Sequence, residues 1–218
     1  MKFNVIKELE NLLANYPQLS VCNDDIWSAY ELMISCYQQG GLIMTCGNGG
    51  SAADSEHITG ELMKGFKYNR PISSEQRAAL EAVFPNDGAY LADNLQEGIP
   101  SLSLVNQLAL STAFANDVAA DMVFAQQVFV YGCPGDVLFG ISTSGNSKNV
   151  VNACKVAKTF GVKTIGMTGE NGGMLREICD VCICVPALET YRVQEYHLPV
   201  YHALCAMLES EIFIPDSM

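Results

Sequence analysis

Apolar residues recur every three or four positions at the start of the chain, between Phe3 and Leu13. This spacing places them on one side of a helix and predicts a helix from about Phe3 to Asn15. A second helix is predicted between the polar cluster Asn23–Asp25 and the glycine pair at 40–41, because Asn and Asp favour helix starts and glycine favours helix ends. Residues 1–40 are therefore predicted to form two helices.

From residue 42 onward, short apolar runs alternate with segments of helical periodicity. Apolar runs that end in Gly- or Ser-rich turns and lead into helices are typical of an α/β fold, with a central parallel sheet and helices on both faces. The predicted strands are Leu42–Cys46, Ser101–Val105, Asp136–Ile141, Val162–Thr168 and Asp180–Val185. The main predicted helices are Ser51–Lys64, 108–118, 121–132, Ser147–Phe160 and Arg192–Ile212. The last helix is apolar on more than one side, which predicts a central position in the domain or in a subunit interface.

Residues 67–100 do not follow this alternation. The segment contains a predicted helix at about Ser74–Ala82, a Pro-Asn-Asp-Gly turn and a second helical piece, and it is too short for a core of its own. We therefore predict one domain over residues 1–218, from which this excursion projects as a lid or as part of an interface.

Composition narrows the class of protein. Apolar residues make up 49% of the 218-residue chain and charged residues only 17%, which indicates a folded domain that buries part of its surface in an oligomer. The net charge of -12 and the lack of a Lys/Arg-rich stretch predict no nucleic-acid partner. No uninterrupted apolar run approaches the roughly 18 residues needed to cross a bilayer, so no membrane partner is expected.

Nine cysteines occur at irregular spacing, several of them inside apolar runs. Because the N-terminus also lacks the pattern of a signal peptide, we expect a cytoplasmic protein whose thiols serve as small core residues. Cys179 and Cys182 form one CxxC pair, a spacing used in redox and zinc sites. No second CxxC follows, and Val181–Val185 alternates like a buried strand, so we favour a structural role for the pair.

Two Gly- and Ser-rich turns follow predicted strands, at Gly47–Ser51 and Ser142–Ser147. In a parallel sheet such turns lie at the carboxyl ends of the strands, where backbone N–H groups of the next helix point toward a ligand. The second turn carries four hydroxyl groups and a glycine, which can cradle a phosphate without any lysine. Neither turn has the spacing of a P-loop or of a dinucleotide fingerprint. We therefore predict a phosphate-binding site here.

His57 and Glu61 are four residues apart on the helix after the first turn, so they share a face. Such a pair can be a surface pair, a general acid–base set or half of a metal site. At 1.5 Å per residue, Glu61 would lie about 15 Å along the helix from Ser51, a span that suits a phosphorylated sugar held at one end and worked on at the other. Gln194 and His202 point in similar directions from the final helix, and we expect this histidine to come from elsewhere in the assembly.

Four stretches of the chain together resemble the sugar isomerase (SIS) domain family, and most of all its phosphoheptose isomerases. The stretches are CGNGGSAADSEHITGEL, GDVLFGISTSGNSKNVVNACKVAK, TIGMTGENGG and YRVQEYHLPVYHALC. The resemblance covers nearly the whole chain apart from residues 67–100. It implies a flavodoxin-like three-layer fold and a homotetramer with active sites between subunits. It also implies a phosphorylated-sugar substrate, with conversion of D-sedoheptulose 7-phosphate to D-glycero-D-manno-heptose 7-phosphate.

The resemblance implies roles for individual residues as well. Glu61 matches the family's catalytic base and His202 its catalytic acid, working through an enediol with no redox cofactor. Some members bind zinc through the positions of His57, Glu61, Gln194 and His202, so the resemblance allows a zinc ion here. The implied substrate-binding residues are Asn48, Gly49, Gly50, Ser51, Asp117, Ser142, Thr143, Ser144, Ser147 and Gln194.

Two features depart from the family pattern. Residues 67–100 are longer than the corresponding segment of typical members, and Tyr191 stands where some members have an Asp that contacts the substrate. Two alternatives therefore stay open: an isomerase of another ketose phosphate, and a non-catalytic SIS protein that senses a phosphosugar or joins a regulatory complex. A redox protein that uses Cys179 and Cys182 is a more distant third.

Overall fold

The structure is a computed structural model, and it describes residues 3–214. Helix α1 spans Phe3–Asn15 and helix α2 spans Asn23–Gln38, with a 3₁₀ turn at Pro17–Cys22 between them. Both helices lie where the apolar spacing predicts them. Two aspartates occupy the first turn of α2, where carboxylates are stabilised by the partial positive charge of the helix N-terminus.

Five parallel strands form the central sheet, in the order β2-β1-β3-β4-β5. This is the strand order of flavodoxin-like folds, which confirms the predicted fold class. The strands are β1 Ile43–Cys46, β2 Ser101–Ser103, β3 Val137–Ile141, β4 Lys163–Thr168 and β5 Val181–Cys184. β2 is two residues shorter than predicted, because Leu104–Asn106 forms a 3₁₀ turn in which the Leu104 carbonyl accepts a hydrogen bond from the buried Gln127 amide.

Helices cover both faces of this sheet. Successive residues of a strand point to opposite faces, so Val137 and Phe139 of β3 enter one hydrophobic core and Leu138 enters the other. The helices after α2 are α3 Gly50–Met63, α4 Ser74–Val83, α5 Gly88–Asn94, α6 Leu108–Phe114, α7 Val123–Tyr131, α8 Lys148–Thr159, α9 Gly173–Ile178 and α10 Thr190–Phe213. The first core is closed by α1, α2, α3 and α10, and the second by α7, α8 and α9, which gives three layers.

Helix α10 is central within the domain, one of the two positions that its apolar pattern allowed. Residues 203–210 are all buried, and the helix packs against α1, α2 and α3. His197 is buried on the same helix, and burial lowers the pKa of its imidazole to about 4. This histidine is therefore neutral at physiological pH and forms part of the packed interior.

The excursion consists of α4 and α5, joined to the domain at a narrow base. The Glu97 amide donates to the Arg70 carbonyl over 2.7 Å, and the Ile99 amide donates to the Leu62 carbonyl over 2.9 Å. α4 begins at a capping box formed by Ser73 and Gln76. No residue of α4 is buried, so the helix contributes nothing to the two cores described above.

One stretch, Leu108–Tyr131, has the length and apolar composition of a membrane-spanning helix, and only 17% of it is buried. The stretch is not an uninterrupted apolar run, because polar residues such as Ser111, Asn116 and Asp117 divide it. The stretch is not one continuous α-helix, because a π-helical turn at Ala115–Ala119 and a 3₁₀ turn at Ala120–Met122 interrupt it. Core helices of soluble proteins pass the same test, so one such stretch is weak evidence for a membrane-spanning segment.

A buried ion pair joins the base of the excursion to α10. The Arg70 Nε donates to Glu209 Oε1 over 2.7 Å, and both side chains are 0% exposed. The same carboxylate accepts hydrogen bonds from the Phe66 and Lys67 amides, each over 2.8 Å. The guanidinium also donates to the Leu62 carbonyl over 3.0 Å, at the end of α3. Arg70 thus satisfies a helix carbonyl that has no partner within its own helix, and its positive charge suits a helix C-terminus.

We expect Arg70→Met to lower the free energy of unfolding by about 3–5 kcal/mol, because it leaves the buried Glu209 carboxylate without its counter-ion. Urea denaturation at fixed protein concentration measures the change. The matched control is Arg77→Met in the same excursion, whose ion pairs to Glu81 and Asp93 are exposed and whose loss should leave stability close to that of the wild type. Equal stability of the two variants would contradict the structural role assigned to Arg70.

Candidate active site

Two loops meet where the strand order reverses. β1 lies between β2 and β3, so the chain leaves β1 toward one side of the sheet and β3 toward the other, and the crevice between such loops is the usual ligand site of an open α/β sheet. The loop after β1 and the start of α8 after β3 are joined directly. Asn48 and Asn149 exchange two amide hydrogen bonds of 2.9 Å each.

The first loop turns sharply into α3. Gly49 has φ of +56°, a left-handed conformation that favours glycine. Gly47 packs so closely on the first turn of α3 that a Cβ there would lie 2.4 Å from the Ser51 carbonyl oxygen. Ser51 itself is buried, while Asn48, Gly49 and Gly50 are exposed. The backbone N–H groups at the start of α3 therefore open onto an accessible surface, as an anion site at a helix N-terminus requires.

The second loop is held by its own hydroxyl groups and by the loop before α9. Ser142 Oγ and Ser147 Oγ lie 2.9 Å apart, and the Asn146 amide donates to Ser144 Oγ over 3.2 Å. Gly145 has φ of +67°, and a Cβ there would lie only 1.9 Å from the Gly172 carbonyl oxygen. This close approach requires glycine and fixes the hydroxyl-bearing loop beside the N-terminus of α8.

Further along α3, a carboxylate lies beside a histidine. His57 Nε2 is 3.3 Å from Glu61 Oε1, and Lys64 Nζ is 3.0 Å from Glu61 Oε2. The Glu61 side chain is 13% exposed, whereas that of Lys64 is 58% exposed. The exposed lysine pair contributes little energy, so a ligand can displace it at small cost. Glu61 is thus a partly enclosed carboxylate with one oxygen oriented by an imidazole.

His202 joins this pair within the same chain. Its ring centroid lies 5.1 Å from that of His57 and 5.3 Å from that of Phe66. Burial and, to a smaller degree, the nearby His57 lower the pKa of His202, while Glu61 opposes the shift. The His202 Nε2 is buried and has no hydrogen-bond partner among residues 3–214. The expectation that this histidine must come from another subunit to meet His57 is wrong, because α10 packs alongside α3 in one chain.

The structure does not bring all predicted residues together. Gln194 lies at the other end of α3 from Glu61. Its Nε2 packs so closely on Gly50 that a Cβ added to this glycine would lie 2.3 Å from it. Asp117 is exposed on the π-helical turn and accepts a hydrogen bond from Asn116 over 2.8 Å. Within residues 3–214 it has no hydrogen bond or ion pair with another predicted site residue. Gln194 is therefore near the loop before α3, and Asp117 is apart both from the loops and from the group around Glu61.

The resemblance allows a zinc ion bound by His57, Glu61, Gln194 and His202, and the positions of these side chains show whether they could share one metal ion. In the described part of the chain, no three His, Cys, Asp or Glu side chains are placed so that they could hold a metal ion. Gln194 is about 10 Å from His57 along α3, by the helical rise from Gly50 to His57, so the four residues do not surround one point. The residues as arranged do not fit a metal ion.

Sequence reasoning missed three residues near the site. Asn149 holds the first loop, and its position two residues after Ser147 could have suggested this. Tyr201 and Asp54 lie behind His57, with the Tyr201 hydroxyl 2.9 Å from His57 Nδ1 and 3.4 Å from Asp54 Oδ1. No sequence signal links these two residues, which are 147 positions apart.

The CxxC cysteines, Cys179 and Cys182, carry free thiols.

A flavodoxin-like sheet with a glycine- and hydroxyl-rich loop at its switch point places the chain among the open α/β proteins that bind small ligands there. The family model for the SIS domain matches residues 9–92 and 78–169. A phosphoheptose isomerase of Aliarcobacter butzleri is 35% identical over 215 residues, covering 97% of this chain and 99% of its own length. One from Aneurinibacillus thermoaerophilus is 38% identical over 180 residues, covering 83% of this chain and 78% of its own.

Solved structures agree with these relatives. The phosphoheptose isomerase of Neisseria gonorrhoeae superposes with a TM-score of 0.69 at 32% identity, covering 94% of this chain and 91% of its own. The chain therefore belongs to the SIS domain family and, within it, to the phosphoheptose isomerases.

The packing of the second loop generates a test. We expect Gly145→Ala to lower the free energy of unfolding by more than about 2 kcal/mol, because alanine is strained at this φ and its Cβ would collide with the Gly172 carbonyl. Gly60→Ala is the matched control, since nothing lies within 4 Å of a Cβ there and alanine should stabilise the α3 helix by about 0.5–1 kcal/mol. Urea denaturation compares the two. A Gly145→Ala protein as stable as the wild type would show that the loops do not pack in this way.

Proposed function

We propose that the protein is an aldose–ketose isomerase that converts D-sedoheptulose 7-phosphate to D-glycero-D-manno-heptose 7-phosphate. One observation carries the proposal. α3 begins at the proposed phosphate loop and bears Glu61 beside His57, and His202 of α10 packs against His57. Membership of the phosphoheptose isomerases supports the choice of substrate.

The loops supply the groups that a phosphate needs. Ser142, Thr143, Ser144 and Ser147 lie on the loop that leads into α8, and the hydrogen bonds between Asn48 and Asn149 join this loop region to the one that leads into α3. Neutral donors suffice because oriented amides and hydroxyls bind an anion without a lysine. This arrangement also suits a chain whose net charge of -12 would otherwise repel an anionic substrate. Ser51, Asn48 and Gln194 belong to the same end of the site.

The chemical step is a proton transfer between neighbouring carbons. Glu61 takes the proton from C1 of the ketose while the carbonyl oxygen at C2 gains a proton, which gives the enediol. The carried proton then returns to C2 while the hydroxyl at C1 loses its proton, which gives the aldehyde of the aldose. His202 donates a hydrogen bond to the substrate oxygens, which a neutral imidazole can do when burial lowers its pKa. No electrons leave the substrate in this sequence, so no redox cofactor is required.

We further propose that the protein works as a homotetramer with sites between subunits. Large apolar side chains on and near α6 and α7 are exposed, including Leu108 at 74%, Val130 at 64% and Phe129 at 58%. Exposed apolar patches of this kind usually mark protein interfaces. Asp117 is separated from the rest of the site, so a neighbouring copy could supply it. Nine free thiols support a reducing cytoplasm as the location.

Deuterium exchange tests the reaction. The wild type should introduce deuterium at C1 of sedoheptulose 7-phosphate in D₂O and form the aldose, both detected by NMR. Glu61→Gln keeps the side-chain shape and removes the base, so both rates should fall by a factor of about 100–10,000. Glu56→Gln is the matched control, because that glutamate is exposed on the same helix and lies outside the site.

Two results would contradict the proposed function. Exchange in Glu61→Gln at the wild-type rate would remove Glu61 as the base. No exchange with the wild type, with or without added zinc, would indicate a phosphosugar sensor or a different sugar. The zinc arm is needed because the metal is allowed by family membership although the described residues do not fit it.

Mixing two inactive variants tests whether sites are shared between subunits. One variant carries Ser142→Ala and Ser144→Ala in the phosphate loop, and the other carries Glu61→Gln. If the loop and the carboxylate of one site come from different chains, unfolding the variants together and refolding them should restore part of the activity. Activity no greater than that of the separately refolded variants would place the loop and the carboxylate of each site in one chain.

A further inference from the structure

Tyr201 lies directly behind His57 and is itself buried, with 1% of its surface exposed. Its hydroxyl oxygen is 2.9 Å from His57 Nδ1, and the two rings meet edge to face with centroids 5.5 Å apart. The opposite ring nitrogen, Nε2, is the one that lies 3.3 Å from Glu61 Oε1. The imidazole is therefore placed between a buried hydroxyl and the carboxylate that acts as base in the proposed reaction.

A second group holds the Tyr201 hydroxyl from the other side. The hydroxyl donates to Asp54 Oδ1 over 3.4 Å, and Asp54 lies three residues before His57 on α3. Burial raises the pKa of Asp54 to about 6, although the hydrogen bond from Tyr201 and the nearby His57 both act to lower it. Asp54 Oδ2 is buried and has no hydrogen-bond partner in the described part of the chain. Keeping a carboxyl group in such surroundings costs free energy, which favours a functional reason for it.

The side chain of His57 needs an external restraint. It is 43% exposed, so packing leaves much of its rotation free. The direction in which a histidine presents one nitrogen is set by the hydrogen bond that its other nitrogen makes. Because Tyr201 is buried on the central helix α10, its hydroxyl has a fixed position from which to hold the ring.

We propose that Tyr201, supported by Asp54, is a positioning residue that holds the His57 ring with Nε2 against Glu61. Tyr201 does not reach the reacting carbons and acts only through His57, which in turn orients the Glu61 carboxylate. The catalytic part of this inference rests on the proposed function, since it takes Glu61 as the base. The positional part concerns His57 alone and can be tested without any substrate.

Tyr201→Phe removes the hydroxyl and keeps the ring. We expect kcat for the isomerisation to fall about tenfold, because a displaced His57 leaves Glu61 poorly aligned with the substrate, while KM stays within about twofold. The phosphate loops that hold the substrate are at the other end of α3, which is why KM should change little. Tyr37→Phe is the matched control, because Tyr37 is a partly buried tyrosine of α2 that packs near Phe213.

The second readout is the ¹⁵N NMR spectrum of the histidine side chains. The chain has three histidines, so single His→Asn variants can assign each ring. In Tyr201→Phe the His57 Nδ1 resonance should shift because its hydrogen bond is lost, whereas the resonances of the buried His197 should not. If Tyr201 had a merely structural role, the ¹⁵N resonances of the His57 ring would be the same in Tyr201→Phe as in the wild type.

Two Asp54 variants test the same role independently, in case Tyr201→Phe does not fold. Asp54→Ala should lower kcat and move the His57 Nδ1 resonance in the same direction as Tyr201→Phe, because the hydroxyl loses its support. Asp54→Asn should restore both toward the wild type, since its amide oxygen can still accept from Tyr201.

The outcomes separate this inference from the proposed function. The positional role would be overturned if the His57 resonances were unchanged in folded Tyr201→Phe and folded Asp54→Ala, whether or not the protein isomerises sugars. Shifted resonances with unchanged kcat in an active enzyme would overturn the catalytic consequence. If the wild type shows no isomerase activity, the proposed function fails, and the NMR result alone decides whether Tyr201 holds His57.

Discussion

The buried pair of Arg70 and Glu209 is the interaction on which the arrangement of the site depends. Burying two charges is costly, and here the cost is offset because Glu209 also accepts two backbone N–H groups and Arg70 also binds α3 carbonyls. The pair thereby joins three parts of the chain: the end of α3, the base of the excursion and the central helix α10. Since Glu61 lies on the last turns of α3 and His202 on α10, the same contacts hold the proposed base and the proposed acid in register.

The strand order sets the other half of the site. Only where neighbouring helices cross to opposite faces of the sheet do two loops leave a crevice between them, and here those loops follow β1 and β3. The exchange of hydrogen bonds between Asn48 and Asn149 joins the loops across it. α3 connects this crevice to Glu61 and His57, so one helix relates the proposed phosphate-binding end to the proposed acid–base end. Glycine is required where the loops touch, as at Gly145 against Gly172.

Much of the fold was predictable because its signals are local. Strand and helix bounds follow from apolar spacing, and β2 ended early because Leu104 turns into the core, which is a tertiary effect. The glycine and serine loops were predictable for the same reason, since strand, turn and helix N-terminus are consecutive in the chain. By contrast, His202 beside His57, the isolation of Asp117 and the contact of Gln194 with Gly50 depend on how α10 and the segment before α7 pack.

The sequence alone determined the class of fold, the two Gly- and Ser-rich turns and the shared face of His57 and Glu61, because each rests on residues a few positions apart. Only the tertiary structure decided which distant side chains complete the site. Tyr201 and Asp54 are 147 positions apart, and nothing in the spacing of either residue indicates the other. Their meeting depends on the packing of α10 alongside α3, which is the sum of many weak apolar contacts and one buried ion pair. Contacts of this kind join residues that are far apart in the chain, so no short stretch of sequence reveals them.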